Sequence, residues 1–219
     1  MKNRCFLLFF ILPVLILAQT QGDFEKRYIY DQFTSGRVVY KDGGGSNGLF
    51  NYDTVLERLL FVSEDKILEI SNPSDVAFVK IDDRTFEHIK GGIFYEKILV
   101  NNDNAFYIQW KSKLKSKGKK EGYGMTSNTS AVTSWEDVYT GHSPVVKLNV
   151  NEDLFVDSNN SYYLKIKNSY KKFYSLDSLA KLFKGREEEI KGYLKDQNLN
   201  FKKLNDIKKA IEYCSQYME

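Results

Sequence analysis

Four short segments rich in β-branched and aromatic residues lie between Lys66 and Val100, and they constrain the fold more than any other part of the chain. Turn-forming clusters, Asn-Pro-Ser-Asp, Asp-Asp and Lys-Gly-Gly, separate them. This spacing predicts an antiparallel meander, because strand formers bounded by turn formers favour neighbouring strands joined by tight turns. The predicted strands are Lys66–Ile70, Val76–Ile81, Thr85–Ile89 and Ile93–Val100.

The same pattern extends to both sides of this stretch, and after Ser175 the apolar period changes from two residues to about 3.6. The change predicts short amphipathic helices, with Gly185 ending the first helix and Asn205 capping the last. The sequence therefore predicts an α+β fold, in which antiparallel β-sheet meanders precede a C-terminal bundle of two or three short helices. The further predicted strands are Arg37–Tyr40, Leu49–Tyr52, Val55–Val62, Ala105–Lys115, Val145–Val150, Asp153–Val156, Tyr162–Ile166 and Tyr170–Tyr174. Val55–Val62 is expected to pair with Lys66–Ile70.

Residues 1–22 have the pattern of a signal peptide. Two basic residues, Lys2 and Arg4, precede an apolar run of 13 residues, Phe6–Ala18. The run is shorter than the roughly 20 residues that a membrane-spanning helix needs, and a small residue ends it, as at a cleavage site. We therefore expect a secreted or periplasmic protein with no transmembrane segment after signal cleavage.

The remaining chain is expected to comprise a β-rich domain, 23–174, and a helical region, 175–219. The β-rich domain is either one sheet system or two sub-sheets divided by a long loop at 116–143, where glycine, serine and threonine are frequent. Without the leader, 30 basic and 29 acidic side chains remain, a net charge of about +1. Overall charge therefore predicts no partner, and only a local cluster can. The one remaining cysteine, Cys214, is expected to be a small buried hydrophobe.

Several sequence segments together resemble a group of uncharacterised exported bacterial proteins. The resemblance covers the chain from about Gly36 to Tyr213 and implies an exported protein with a β-rich N-terminal part and a helical C-terminal part. It implies no activity and carries over no functional residue. The segments that support it are Ile70–Pro73, Val79–Ile81, Phe86, Phe94–Glu96, Tyr123–Gly124 with the Ser/Thr run after it, Tyr162–Leu164 and Leu179–Cys214.

Two histidines, His88 and His142, are the side chains suited to proton transfer near neutral pH. His88 lies in a predicted strand, where a hydrogen-bonded structural histidine is the simpler interpretation. His142 lies in the long loop with Glu136 and Asp137 nearby, and a hydrolase that uses His142 with these carboxylates is one alternative function. No nucleophile-elbow pattern surrounds a serine, so no catalytic residue is assigned.

Neither a metal nor a cofactor is expected. Two distant histidines and one cysteine do not supply a zinc site, and the Asp/Asn clusters do not match a calcium-binding loop. The glycine-rich segment Gly43–Gly48 lacks the lysine-serine or lysine-threonine pair of a phosphate-binding loop. Glu187–Glu189 is expected to lie in the first turn of a helix, where it complements the helix dipole.

Lysines alternate along the end of the predicted strand Ala105–Lys115 and continue into the loop. Alternate residues of a strand share a face, so this pattern places positive charge on one side, and neighbouring aromatic residues suit a polyanion. The alternative interpretation is an edge strand that lysines protect from pairing with other chains. The candidate contact residues are Lys111, Lys113, Lys115, Lys117, Lys119, Lys120, Trp110 and Tyr123.

The sequence thus predicts an exported, non-enzymatic binding or interaction protein of the cell envelope. Its expected contact surface is the long loop with the lysine cluster, and its partner is an unknown protein or glycan. Nucleic acid is disfavoured as a partner because of the export signal. Two alternatives remain open: the envelope hydrolase described above, and a polyanion-binding module that uses Lys111–Lys120.

Overall fold

The structure is a computed structural model, which describes residues 27–101, 104–116, 119–120, 126–127, 154–166 and 169–218. Within this part, antiparallel strands precede three short helices, so the predicted α+β fold class is confirmed. The predicted leader 1–22 and the predicted strand Val145–Val150 lie outside the described residues.

The strands are β1 (Thr34–Tyr40), β2 (Gly45–Asp53), β3 (Arg58–Ser63), β4 (Lys66–Glu69), β5 (Val76–Ile81), β6 (Arg84–Lys90), β7 (Ile93–Asn101), β8 (Asn104–Gln109), β9 (Ser112–Ser116), β10 (Lys119–Lys120), β11 (Thr126–Ser127), β12 (Leu154–Ser158), β13 (Ser161–Ile166) and β14 (Ser169–Phe173). The helices are α1 (Leu176–Ala180), α2 (Glu187–Asp196) and α3 (Leu204–Ser215).

Ten strands form one sheet in the order β14-β13-β8-β7-β6-β5-β1-β2-β3-β4. Strands β5, β6 and β7 are antiparallel neighbours, so this part of the predicted meander is confirmed. Strand β4 pairs with β3, as expected of Lys66–Ile70 and Val55–Val62, but it forms one edge of the sheet and is not a neighbour of β5, so the meander prediction is wrong at this point. The cause is local: Glu64 and Asp65 have φ values of 48° and 60°. Two consecutive left-handed residues make the tight hairpin turn that joins β3 to β4.

The strands β7, β6, β5, β1, β2 and β3 are consecutive in the sheet order and form a curled half of the sheet. The curl brings β3 against β7, although four strands separate them in that order. Tyr52 joins the two sides, because its hydroxyl donates a hydrogen bond to the carbonyl of Phe94 at 3.2 Å. Gly36 permits close pairing of β1 with β5, since a Cβ atom there would lie 2.6 Å from the Lys80 carbonyl oxygen. The curled half encloses the curl core: Val38, Phe50, Tyr52, Leu59, Val76, Val79, Ile81, Phe86 and Phe94.

The three helices cover one face of β8, β13 and β14 and form a second core with it. Each strand contributes every second residue, because alternate side chains of a strand point to the same face. Cys214 is fully buried here, and burial raises the pKa of its thiol to about 12, so the expectation of a small buried hydrophobe is confirmed. The helix core contains Phe106, Ile108, Tyr162, Leu164, Phe173, Leu179, Ala180, Phe183, Ile190, Leu194, Ile207, Ala210, Ile211, Cys214 and Met218.

The helix ends depart from the sequence prediction in two cases. Ser175 caps α1, because its hydroxyl accepts the N–H of Ser178 at 3.1 Å. The prediction that Gly185 ends this helix is wrong, since α1 already ends at Ala180 and Gly185, with φ of 81°, lies in the connection to α2. The prediction for Asn205 is wrong, since α3 already begins at Leu204 and its N-cap makes no side-chain bond. Leu204 packs against the helix core, so burial of an apolar side chain sets the start of this helix.

Two predicted strands are interrupted in the structure. In Val55–Val62 the first residues form a turn and β3 begins only after it, because Asp53 Oδ1 accepts the N–H groups of Val55 and Leu56 at 3.0 and 3.1 Å. An aspartate that bonds the backbone two or three residues ahead favours a turn over a strand. Ala105–Lys115 is divided between β8, in the large sheet, and β9, which pairs with β12 in a separate two-stranded sheet.

Candidate functional site

The lysine cluster predicted as a contact surface is divided between segments of the structure. Lys111 lies in the break between β8 and β9, while Lys113 and Lys115 project from the same side of β9. Lys115 Nζ lies 2.5 Å from Asp157 Oδ2 on the neighbouring strand β12, so this positive charge is paired. Lys113 is exposed and forms no ion pair with another described residue. The charge that β9 offers a polyanion is therefore smaller than the sequence predicts.

The other lysines of the cluster do not extend this face by alternation. Lys119 and Lys120 are consecutive residues of β10, which pairs with β11 inside the predicted long loop. The remaining residues that the sequence singled out lie outside the described residues: Lys117, Tyr123, Glu136, Asp137 and His142.

Trp110 lies between the two cores rather than beside the lysines, and it packs against both. Its indole N–H donates a hydrogen bond to Glu96 Oε2 at 2.6 Å. The same carboxylate accepts two bonds from the guanidinium of Arg84, at 2.9 and 2.5 Å. Burial lowers the pKa of Arg84, but the hydrogen bonds and charge of Glu96 raise it by more. Trp110, Glu96 and Arg84 therefore form a hydrogen-bonded polar cluster between the two cores.

His88 has a structural role in the described part of the chain. Its Nε2 lies 2.7 Å from the carbonyl oxygen of Gly91, to which it donates, and its ring packs edge-on against Phe94. This geometry matches a hydrogen-bonded histidine in a strand.

A different surface brings functional side chains together: the face of β7, β8, β13 and β14 that points away from the helices. Alternate positions on these strands carry tyrosines and lysines, because every second side chain points to this face. We call this surface the tyrosine face. It comprises Tyr95, Lys97, Tyr107, Gln109, Tyr163, Lys165, Tyr170, Lys172 and, directly after β14, Tyr174, together with Glu87 on the neighbouring strand β6.

The tyrosine rings of this face contact one another. Tyr95 stacks on Tyr163 with ring centres 5.0 Å apart and planes 18° from parallel. Tyr170 meets the rings of Tyr95 and Tyr107 edge-on, at 6.2 and 5.4 Å. Tyr95 and Tyr107 are buried, Tyr163 and Tyr170 are half-buried, and Tyr174 is 70% exposed. Accessible ring surface therefore increases towards β14, the edge strand of the sheet.

Gln109 organises the polar groups at one end of the face. Its Oε1 accepts hydrogen bonds from the hydroxyls of Tyr95 and Tyr163 at 3.3 and 3.0 Å. Its Nε2 donates to Glu57 Oε2 at 2.5 Å. Glu57 has φ of 55°, a left-handed conformation that costs free energy for any residue except glycine. Burial, followed by the hydrogen bond with Tyr163, raises the pKa of Tyr95 well above its usual value. The Tyr95 hydroxyl therefore remains protonated, and Gln109 holds both hydroxyls in place.

Glu87 organises a second group. Its carboxylate accepts the hydroxyl proton of Tyr107 at 2.6 Å and the ammonium of Lys97, also at 2.6 Å. Burial and the bond to Glu87 raise the pKa of Tyr107, and burial and the charge of Glu87 raise that of Tyr170. Near neutral pH these phenols are hydrogen-bond donors rather than bases or nucleophiles. The arrangement can orient and contact a ligand without chemical reaction.

Two lysines cover the accessible rings. Lys165 Nζ lies 5.5 Å from the ring centre of Tyr170, and Lys172 Nζ lies 5.8 Å from Tyr163 and 5.0 Å from Tyr174. Neither lysine forms an ion pair with another described residue. A cation–π contact at an exposed site contributes only about 0.5–1 kcal/mol, so both ammonium groups can readily be recruited by a stronger partner.

Other local arrangements offer less for binding. Depressions among the described residues, such as those beside Gly36 and at the start of α3, are open to solvent. Within the described segments, no group of three or more His, Cys, Asp or Glu side chains is placed to hold a metal ion. No helix of the described chain is long and apolar enough to cross a membrane.

No family model matches this chain, and no match was found among curated proteins or solved structures. The site is therefore argued from its own geometry, and the resemblance to exported bacterial proteins contributes no residue to it.

Sequence reasoning did not identify the tyrosine face, although a signal was present. The segments Tyr95–Lys97, Tyr107–Gln109, Tyr163–Lys165 and Tyr170–Lys172 each pair a tyrosine with a polar or basic residue two positions on. Each falls within a predicted strand, where this spacing places both side chains on the same face. What the sequence lacked was the pairing of β8 with β13, which brings distant segments together.

Proposed function

We propose that this protein is an exported, non-enzymatic binding protein of the cell envelope, and that it contacts its partner with the tyrosine face. One observation carries the proposal: Lys165 and Lys172 have no carboxylate partner in the described chain, and they lie over half-buried or exposed tyrosine rings. Tyrosine rings and lysines without an ion-pair partner, side by side on one face of the sheet, offer contact area together with specific polar groups.

The energetics of the face support a binding role. Tyrosine provides a large contact area at a low cost in conformational entropy, because it has few rotatable bonds. Here the loss is smaller still for Tyr163, since Gln109 already holds its hydroxyl. A preorganised surface loses less entropy on binding and therefore binds more tightly for the same contacts.

The hydrolase alternative has no comparable support, because His142, Glu136 and Asp137 lie outside the described residues. It stays a prediction. If it is right, the double variant His142→Ala with Glu136→Ala should lose turnover. The binding proposal expects the same variant to keep its partner. For the polyanion alternative through Lys111–Lys120, the pairing of Lys115 with Asp157 reduces the available charge.

Cysteine accessibility tests the proposal without knowledge of the partner. Lys172→Cys introduces a thiol on the tyrosine face, and Lys195→Cys introduces a matched thiol on the exposed side of α2. Cys214 is buried and its pKa is raised, so it contributes little background. Each variant is produced as the full chain and treated with a small maleimide reagent, first in cells and then after purification.

We expect the thiol at position 172 to react more slowly in the cell envelope than in purified protein, because the partner covers it. The thiol at position 195 is expected to react equally in both settings. Equal relative rates for the two thiols would overturn the proposed contact surface. Recovery of the whole chain from the cytosol, with its first 22 residues intact, would overturn the proposed location.

A further inference from the structure

The tyrosine face extends across four adjacent strands, and its unpaired positive charge lies at one end. Lys97, Tyr107, Tyr163 and Lys172 are direct cross-strand neighbours on β7, β8, β13 and β14. Tyr107 is buried in this row, so the accessible rings are those of Tyr163 on β13 and of Tyr170 and Tyr174 along β14 and directly after it. At about 3.3 Å per residue, Tyr170 and Tyr174 lie about 13 Å apart along the chain, which suits an extended ligand rather than a single small molecule. Lys97 is paired with Glu87, whereas Lys172 is not paired, so free positive charge lies at the β14 end.

The chemistry of the face is a ring surface combined with a cation. The face of an aromatic ring carries partial negative charge, which attracts the weakly positive C–H groups on the flat side of a sugar ring. An ammonium that leaves an aromatic ring for a carboxylate exchanges a weak contact for a stronger, charge-assisted hydrogen bond. A ligand with both features would therefore displace Lys165 and Lys172 from the rings and retain them as partners.

We propose that the tyrosine face binds an acidic oligosaccharide, a chain of sugar rings that carry carboxylates. The sugar rings lie against Tyr163, Tyr170 and Tyr174, and the carboxylates meet Lys165 and Lys172. This inference rests on the proposed binding function and names the chemical class of the ligand.

Two other anionic partners fit the face less well. An anionic membrane would favour apolar side chains that protrude into it, but the rings of Tyr95, Tyr163 and Tyr170 pack on one another, and Gln109 holds two of their hydroxyls. Single-stranded nucleic acid also uses stacking and positive charge, but it needs a basic groove that follows the backbone. Here two lysines without an ion-pair partner among the described residues lie over tyrosine rings, which is less positive charge than such a groove needs.

The test compares probes in which the sugar rings and the negative charges of the ligand are varied separately. An oligogalacturonate carries both, its methyl ester keeps the rings and loses the charge, and polyphosphate keeps charge without rings. Hyaluronan oligosaccharides, single-stranded DNA and phosphatidylglycerol vesicles complete the set. We expect purified full chain to bind at least one of the two acidic saccharides, and to bind the methyl ester and polyphosphate about tenfold or more weakly, as expected when one good polar contact or one ring contact is lost.

The variants use half-buried or exposed side chains outside the two cores, so that folding is preserved. Lys165→Gln with Lys172→Gln is expected to weaken binding of the acidic saccharide about tenfold or more, since two charge-assisted contacts are lost. Tyr174→Ala is expected to weaken it less, because one exposed ring is removed. The control, Lys208→Gln with Lys209→Gln, removes the same charge from the exposed side of α3 and should leave binding unchanged.

Several results would overturn the inference. Equal binding of the methyl ester would remove the role of charge, and equal binding of polyphosphate would remove the role of the rings. An equal loss in the control variant would indicate attraction by net charge alone. Stronger binding to DNA or to vesicles would assign the face to another ligand class. If neither acidic saccharide binds while the thiol at position 172 is protected in cells, the ligand class is wrong and the proposed contact surface stands.

Discussion

The two faces of β8 and β13 are built from alternating residues of the same strands, yet they serve different purposes. One face contributes Phe106, Ile108 and Leu164 to the helix core, where burial removes hydrocarbon from water. The other carries Tyr107 and Tyr163, whose hydroxyls are bonded and whose exposure increases towards β14. The helix side therefore stabilises the fold, and the tyrosine face presents a surface whose outer residues are free for recognition.

Phe106→Ala should give the largest effect if this division is right. The side chain is fully buried against the helices, so its truncation leaves a cavity and is expected to cost about 3–5 kcal/mol of unfolding free energy. Urea denaturation measures the loss. Tyr174→Ala is the matched truncation on the other face, and at 70% exposure it should change stability by less than about 0.5 kcal/mol. Similar losses for both variants would contradict the division.

Tyr107→Phe tests the buried part of the tyrosine face, where the comparison predicts an intermediate effect. The substitution keeps the ring and removes the hydroxyl that donates to Glu87 at 2.6 Å. A hydrogen bond to a charged group contributes about 1.5–3 kcal/mol, and we expect a loss of this size in urea denaturation. Tyr174→Phe is the control, because the Tyr174 hydroxyl forms no hydrogen bond with the described residues. A loss below about 0.5 kcal/mol would show that the Glu87 network is not structural.

Alkaline pH should weaken the fold mainly through tyrosines outside the helix core. Burial raises the pKa of Tyr95, Tyr107 and Tyr170 on the tyrosine face, and that of Tyr30 beside the curl core to about 12. A raised folded-state pKa adds stability that is complete below the ordinary value of about 10 and is lost as pH rises through the raised value. The urea midpoint is therefore expected to fall between about pH 10 and 12.

Phenolate absorbance, followed together with the urea midpoint, checks this expectation. Phenolates of the buried tyrosines should form only as the protein unfolds, and Tyr107→Phe should reduce the dependence of the midpoint on alkaline pH. Complete ionisation of all tyrosines in protein that is still folded would contradict the assignment of these pKa values to burial.

Much of the fold followed from local sequence patterns. The alternation in Tyr162–Ile166 predicted β13, and the apolar period after Ser175 predicted the helices, because both patterns depend on neighbouring residues. The pairing of β4 with β3 followed as well, but the insertion of β1, β2 and β3 between β5 and β4 did not, since it is decided by contacts between distant segments. The break at Trp110 did not follow either, because it depends on the buried carboxylate of Glu96 on another strand.

The candidate site was harder to predict than the fold. The lysines from Lys111 to Lys120 drew attention because they are close together in sequence, whereas the tyrosine face combines residues as far apart as Tyr95 and Tyr170. Only the order β7-β8-β13-β14 brings these side chains to one surface. A contiguous charge cluster is visible without a sheet order, and a face built from four strands is not.

The double variant Lys165→Gln with Lys172→Gln should give only a small change in stability and sharpens the comparison most. Each lysine contributes only a cation–π contact at an accessible site, so the expected loss in urea denaturation is at most about 1–2 kcal/mol for the pair and less if the contacts are fully solvated. The control, Lys208→Gln with Lys209→Gln, should be neutral. A loss as large as that of Phe106→Ala would mean that the lysines hold the tyrosine rings in place, and both faces of these strands would then serve stability. A small loss combined with loss of acidic saccharide binding would mean that the two ammonium groups are placed on the rings for a ligand.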